Sequence, residues 1–187
     1  YSHDYKSLEK KINTYLKSSE GEFAIVFKNL SDGKTILINE NEEFHAASTM
    51  KTPVMIEVFR YVHEGAISLD DSILVKNEFK SIADGSSFSL SSFEDSDKKI
   101  YEEIGSFLSL RELVIDMITL SSNFATNLVI DYIGSENINS TMRGLGANKI
   151  NVLRGVEDIK AFNQGMNNTT TALDLLNIYE KLAEGNV

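Results

Sequence analysis

The stretch Phe44-His-Ala-Ala-Ser48-Thr-Met-Lys51-Thr-Pro53-Val-Met55 decides the reading, taken together with Ser121-Ser122-Asn123 further along the chain. A serine hydroxyl does not attack a carbonyl at neutral pH without a base. A lysine at i+3 lies on the same helix face and serves as that base if burial lowers its pKa. The second segment offers another hydroxyl to relay protons and an amide to hold a substrate.

Outward from Ser48, Met50, Val54, Val58 and Val62 fall at helical spacing, which predicts a helix over Ala46 to His63. It is apolar on most sides and reads as a buried central helix. Pro53 lacks an N–H and fits its first turn or a slight kink. Upstream, Leu8, Ile12 and Leu16 mark a helix over Tyr5 to Leu16, with Gly21 as a stop. Glu22 to Lys28 and Thr35 to Asn39, joined by the turn residues Asn29 to Lys34, predict a β-hairpin. Downstream, Gly65 to Ser72 reads as a helix stop followed by a short extended segment. Lys80 to Asp97 is rich in Ser, Asp and Gly, yet it carries Phe88 and Phe93, so it reads as an ordered loop rather than a linker. Helices are predicted over Leu108 to Leu120, Phe124 to Gly134 and Glu136 to Leu145. Val152 to Asn168 reads as an irregular loop with one turn of helix. A last helix over Thr171 to Glu184 follows an N-cap at Thr169 or Thr170.

At 187 residues the chain is long enough for one domain with its own core, and 42% apolar and 25% charged residues are ordinary for a globular protein. No apolar run approaches the roughly 18 residues of a membrane span. A net charge of −10 argues against nucleic acid and anionic membrane surfaces as partners. With no Cys, disulfides, thiolate metal sites and cysteine nucleophiles are excluded. His3, His45 and His63 are widely spaced and form no metal-binding pair, so neither a metal nor a cofactor is expected. No leader is visible at Tyr1, which reads as either a cytoplasmic protein or a processed mature form.

The Ser-x-x-Lys spacing alone is weak, since it also occurs at Ser7/Lys10, Ser31/Lys34 and Ser96/Lys99. Only Ser48 follows a hairpin and opens a long apolar helix. Ser-x-Asn recurs at Ser135/Asn137, but only Ser121/Asn123 lies between two apolar helices. Taken together, the chain resembles the class A β-lactamases and their penicillin-recognising relatives, from about Tyr5 to the end. The resemblance rests on FHAASTMKTPVM, on LRELVIDMITLSSNFATNLVI with Asn127 four residues after Asn123, and on NNTTTALDLLNIYEKL. It implies an α/β serine β-lactamase-like fold, with a helical half packed against an antiparallel sheet that the N-terminal hairpin begins. Residues 1–187 would form a single such domain lacking its C-terminal strands and helix.

By the same resemblance, Ser48 is the acylated nucleophile and Lys51 activates it. Ser121 passes a proton toward the leaving nitrogen, and Asn123 holds the acyl-amide side chain. The Ser48 N–H forms half of an oxyanion hole. Relatives place an aromatic residue near the cleft, for which Tyr101 or Phe93 is the candidate; packing is the alternative for both. Capping is the alternative for Ser48 and for Ser121/Asn123.

Three departures stand out. No Lys-Thr-Gly or Lys-Ser-Gly occurs; in the family this box lies on a C-terminal strand. The middle box reads Ser-Ser-Asn rather than Ser-Asp-Asn. The loop corresponding to the family's Ω-loop reads Arg154-Gly-Val-Glu157-Asp158-Ile-Lys-Ala-Phe-Asn163, so Glu157 falls one position late relative to Arg154. Asn168 stands where the family has an acid that pairs with the arginine. Glu157 is the candidate base for deacylation, with a solvent-facing loop acid as the alternative.

The expected activity is therefore acyl-enzyme formation with β-lactams followed by hydrolysis. The alternatives are a D-alanyl peptidase-like penicillin-binding protein with slow deacylation, or a non-catalytic binding module on the same fold. The expected partners are a β-lactam or D-alanyl peptide and a C-terminal segment of the same protein. The expected location is outside the cytoplasmic membrane, where both substrate classes are met.

Overall fold

The computed structural model describes residues 5–187; Tyr1 to Asp4, with His3, lie outside the described residues. The chain begins with α1 (Tyr5–Leu16) and the expected hairpin of β1 (Ile25–Lys28) and β2 (Thr35–Ile38), in which Ile25 faces Ile38 and Lys28 faces Thr35. Along β2, Ile36 and Ile38 turn inward while Thr35 and Leu37 turn out, the period-2 pattern of a strand with one covered face. The last helix, α7 (Ala172–Ala183), packs against β1, and α1 packs against β2.

Sequence periodicity predicted strands only in this hairpin. Among the described residues there are three further antiparallel pairs: β3 (Glu43–His45) with β8 (Thr169–Thr171), β4 (Ser72–Leu74) with β7 (Phe107–Ser109), and β5 (Phe79–Lys80) with β6 (Ser87–Phe88). Two or three residues are too few to show a period. The first two pairs also join segments far apart in sequence. The β3–β8 pair brings the chain entering the Ser48 turn beside the end of the 152–168 loop. The expected loop after Lys80 thus holds β6, and its Phe88 packs on Phe79 against the core, whereas Phe93 is 87% exposed.

The predicted helix from Ala46 divides into a 3-10 turn over Ala47–Met50 and α2 (Lys51–His63). Pro53 sits in the first turn of α2, where its missing N–H leaves no bond unmade. Met50, Val54 and Val58 are fully enclosed. Around them pack α3 (Leu110–Thr119), α4 (Asn123–Ile133) and α5 (Ile138–Gly144), with α3 lying along α4. The helix starts differ from those read from sequence because side-chain caps fix them. Ser109 and Glu112 form a reciprocal capping box at α3. The Ser122 hydroxyl accepts from Ala125 N–H at α4. Thr171, the last residue of β8, rather than Thr169 or Thr170, caps α7: its hydroxyl accepts from Asp174 N–H. The helical turn expected in the 152–168 loop is α6 (Ile159–Asn163), capped by Asp158.

Candidate active site

Ser48 is the second residue of the 3-10 turn, directly after Ala47 at φ +44°. A left-handed non-glycine backbone costs about 1–3 kcal/mol and persists only where its surroundings hold it. Here Ala46 N–H donates to Asn168 C=O at 2.9 Å, and the first hydrogen bond of the turn runs from Thr49 N–H to Ala46 C=O. The Ser48 N–H lies ahead of that bond, so the turn's own carbonyls do not use it.

Lys51 is 2% exposed. Its Nζ lies 2.7 Å from the Ser121 carbonyl oxygen, 3.0 Å from Asn123 Oδ1, 3.1 Å from Ser121 Oγ and 3.5 Å from Ser48 Oγ. Burial lowers its pKa from 10.5 to about 8, opposed by the negative charges of Asp95 and Glu157. As an ammonium, Nζ donates to the Ser121 carbonyl, to Asn123 and toward the serine hydroxyls; once deprotonated, it can keep the first two bonds and turn a lone pair to the hydroxyls. Ser121 Oγ and Ser48 Oγ are 2.9 Å apart, so the chain Ser48–Ser121–Lys51 is continuous.

Ser121 stands between α3 and α4 at φ +56°. That conformation turns both its carbonyl oxygen and its hydroxyl onto Lys51. The residues after it are held by Asp95, which sequence reasoning passed over. Asp95 accepts from Asn123 N–H at 3.1 Å and from Phe124 N–H at 2.8 Å, the first two amides of α4. The nearest sequence signal was an aspartate in a Ser/Asp-rich loop, with nothing local to tie it to a helix starting at Asn123.

Asn123 joins the two halves of the site. Its Oδ1 accepts from Lys51, and its Nδ2 donates to Glu157 Oε1 at 2.8 Å. The offset of Glu157 from Arg154 therefore does not remove it from the site. The extra residue is absorbed by a left-handed turn at Glu157, φ +62°. Asn127 fixes the residue before it, accepting from Val156 N–H at 2.7 Å and donating to Val156 C=O at 3.0 Å. Burial raises the Glu157 pKa, and the hydrogen bond from Asn123 opposes that rise.

The neck of this loop is closed without an ion pair to Asn168. The Asn168 Oδ1 accepts from Leu153 and Arg154 N–H, and its Nδ2 donates to Arg154 C=O. The buried Arg154 guanidinium donates to the Met166 and Gly155 carbonyls instead. Asp158 ties the far side of the loop to the 81–82 segment through Ser81 Oγ and Ile82 N–H. Asn163 ends α6 on an exposed face. Tyr101 uses its groups on the protein: its ring lies 4.7 Å from that of Phe124 and its hydroxyl donates to Asp95. His45 packs edge-on against Phe162, and His63 closes α2.

An enclosed lysine linked through one serine hydroxyl to a second, at the head of a buried helix, is the layout of a serine hydrolase in which lysine takes the place of histidine. The chain belongs to the β-lactamase enzyme family, whose profile matches residues 7–187. Its fold is similar to that of a β-lactamase from Sphaerobacter thermophilus, at 25% identity and a TM-score of 0.76 over 96% of this chain and 62% of that one. It is similar to the TLA-3 extended-spectrum β-lactamase, at 20% identity and a TM-score of 0.81 over 97% of this chain and 64% of that one. It is also similar to PBP-A, at 23% identity and a TM-score of 0.75 over 96% and 62%. The chain thus spans less than two thirds of the length of these structures. A comparison with curated proteins gives no match.

Proposed function

We propose that the protein opens β-lactams by forming an acyl-enzyme on Ser48 and then hydrolyses that ester. The observation that carries this is Lys51 Nζ within hydrogen-bond reach of Ser121 Oγ, itself 2.9 Å from Ser48 Oγ. In acylation, Ser48 Oγ bonds to the lactam carbonyl carbon, and its proton passes through Ser121 to the neutral Lys51 amine. The Ser48 N–H takes the developing oxyanion, and such a donor is typically worth about 3 kcal/mol. The lactam C–N bond breaks as Lys51 returns the proton through Ser121 to the leaving nitrogen. In deacylation, Glu157 takes a proton from water as the water oxygen bonds to the ester carbonyl carbon, and that proton passes to Ser48 Oγ as its bond to the carbon breaks. Asn123 releases its internal partners to bind the substrate's acyl-amide group. A similar structure, a variant of PBP-A, is an acyl-enzyme complex with penicillin G, which supports the choice of ligand. By resemblance, a Lys-Thr-Gly strand and the second oxyanion donor lie in the remaining share of the relatives' length.

One observation favours a second reading. The family's loop carries an asparagine four residues after its glutamate, whereas Asn163 here is displaced from that spacing and stands on an exposed face. A water held by Glu157 without it would attack slowly, giving a penicillin-binding protein that acts on D-alanyl peptides. Both readings place the protein outside the cytoplasmic membrane, where those substrates are met.

Intact-mass spectrometry after brief incubation with a penicillin, beside Ser48→Ala, tests the proposal. An adduct on the wild type alone is expected. No adduct on either protein would refute the acyl-enzyme. Decay of the adduct within seconds means hydrolysis, and persistence for an hour means the penicillin-binding reading.

A further inference from the structure

Beyond the residues that resemblance assigns, one buried carboxylate holds the end of the Ser121–Asn123 turn where α4 begins. Asp95 is 4% exposed. Its Oδ1 accepts from Asn123 and Asp97 N–H, both at 3.1 Å; its Oδ2 accepts from Phe124 N–H at 2.8 Å and from the Tyr101 hydroxyl at 3.2 Å. With Ser122 Oγ taking Ala125 N–H, the first three amides of α4 all end on side chains. The neighbouring Ser96 hydroxyl donates to Leu120 C=O at 2.6 Å. The 95–96 segment thus grips the turn on both sides of Ser121, the residue held at a left-handed φ.

We infer that Asp95 is a positioning residue for the proposed acyl transfer: it fixes the Asn123 and Phe124 amides and thereby holds the Ser121 hydroxyl and the Asn123 amide against Lys51. The argument joins strain to placement. A left-handed serine relaxes unless both flanks are fixed. Relaxation of Ser121 would withdraw the relay hydroxyl and the carbonyl that orients Lys51 together. Misplacement by about 1 Å at such a site costs on the order of a hundredfold in rate. The same carboxylate acts on Lys51 by charge and favours its protonated form. The charged and titratable groups around this cluster are Lys51, Glu157, Glu94, Asp97 and Tyr101.

This inference rests on the proposed acyl-enzyme chemistry, and two readouts on the same protein separate the two. The first is the rate of adduct formation with a penicillin against pH, for wild type and Asp95→Asn, with folding checked by circular dichroism and Tm. The second needs no substrate: an NMR titration of the Lys51 side chain, assigned by its loss in Lys51→Met. The asparagine turns an NH2 group against amides that now meet a carboxylate oxygen, and it removes the charge. We expect acylation to slow roughly tenfold to a hundredfold and the Lys51 midpoint to move to lower pH. A folded Asp95→Asn that acylates within about twofold of wild type, with an unmoved Lys51 midpoint, would overturn the inference and leave Asp95 a cap for stability alone. If wild type forms no adduct, the acyl-enzyme proposal fails, and the NMR shifts of the Ser121 and Asn123 amides in Asp95→Asn decide the positioning role, unmoved shifts overturning it. If Asp95→Asn does not fold, Tyr101→Phe replaces it. That variant keeps the carboxylate and removes one group that orients it. A slower acylation then supports positioning, and an unchanged rate overturns it.

Discussion

Lys51 Nζ touches Ser121 twice, at its carbonyl oxygen (2.7 Å) and at its hydroxyl (3.1 Å). One residue in a left-handed conformation therefore supplies both the acceptor that orients the lysine and the hydroxyl of the proposed proton relay. Three of the four left-handed non-glycine residues among those described, Ala47, Ser121 and Glu157, lie at this site, and the fourth, Asn39, ends the N-terminal hairpin. Backbone strain is concentrated where the chemistry is proposed, as expected when placement is held by surrounding bonds rather than by local preference.

The pH dependence of acylation follows from Lys51. A general base must be neutral, and burial brings this lysine from 10.5 to about 8. Acylation measured by stopped-flow or quench is expected to rise about tenfold per pH unit up to about pH 8 and to level off above it. Lys51→Arg, charged throughout, is expected to abolish the rise and the adduct. Stability moves with the same group. The unfolded chain holds the lysine proton up to about 10.5, so a destabilisation of about 3 kcal/mol is complete below pH 8 and fades toward pH 10.5. Lys51→Met is expected to flatten that part of a Tm-against-pH curve.

Glu157→Gln keeps an oxygen to accept from Asn123 and removes the base. Adduct formation is expected to continue while its decay slows by about 10²–10⁴-fold, followed by intact mass over time. Because burial raises this carboxyl above the usual 4.5, wild-type deacylation is expected to fail as pH drops through a value higher than 4.5. Acylation would keep the separate profile set by Lys51. A single profile shared by both steps would contradict the assignment.

What the sequence made legible depended on range. The hairpin and the buried α2 helix were readable because each has a local period, and Ser48/Lys51 was joined to Ser121/Asn123 by resemblance to the family's motifs rather than by spacing alone. The β3–β8 and β4–β7 pairs were not, since two- or three-residue strands carry no period and their partners are remote. The α7 boundary was misplaced for the same reason: β8 runs on through Thr171, which pairs with Glu43 and is itself the cap. Glu157 was named, but its offset from Arg154 left its reach open. What brings it to Asn123 is a left-handed turn and a pair of bonds from Asn127, neither of which spacing reveals. Asp95 was missed altogether, because a cap supplied from a distant loop has no sequence signature beside the helix it caps.

Gly155 shows how closely the loop is fitted to α4. A Cβ at this position would run into the Asn127 side-chain amide, which bonds both backbone groups of Val156. Gly155→Ala is expected to break that pair, at about 1–3 kcal/mol of stability. Glu157, two residues on from Gly155, would lose its aim. The expected signature in a mass time course is acylation largely kept and deacylation strongly slowed, and Asn127→Ala should reproduce it. Equal loss of both steps would mean that the pair supports the fold at large rather than the loop.

Glu57 offers a test of stability apart from chemistry. It is 0% exposed, two turns beyond the start of α2. Its carboxylate accepts from Arg60 Nε at 3.1 Å, from a terminal Arg60 nitrogen and from Thr141 Oγ1, both at 2.6 Å, tying α2 to α5. Burial pushes its pKa up, but the hydrogen bonds from Arg60 and Thr141 and the Arg60 charge outweigh that and leave it below 4.5. The unfolded carboxyl takes up a proton first as pH falls. Stability from this group is therefore complete above pH 4.5 and is lost as pH falls through the lower folded value. Because Arg60 is partly exposed, Glu57→Ala is expected to cost about 2–3 kcal/mol, less than a fully buried pair would. Thermal melts at pH 7 should show that loss, and the gap to wild type should narrow at pH 4 and below. Acylation per folded molecule at pH 7 should stay unchanged, because the partners of the Glu57 carboxylate among the described residues are Arg60, Thr141 and Tyr61 rather than Ser48 or Lys51. A gap that widens with acid would reverse the sign and show that Glu57 is protonated in the folded protein.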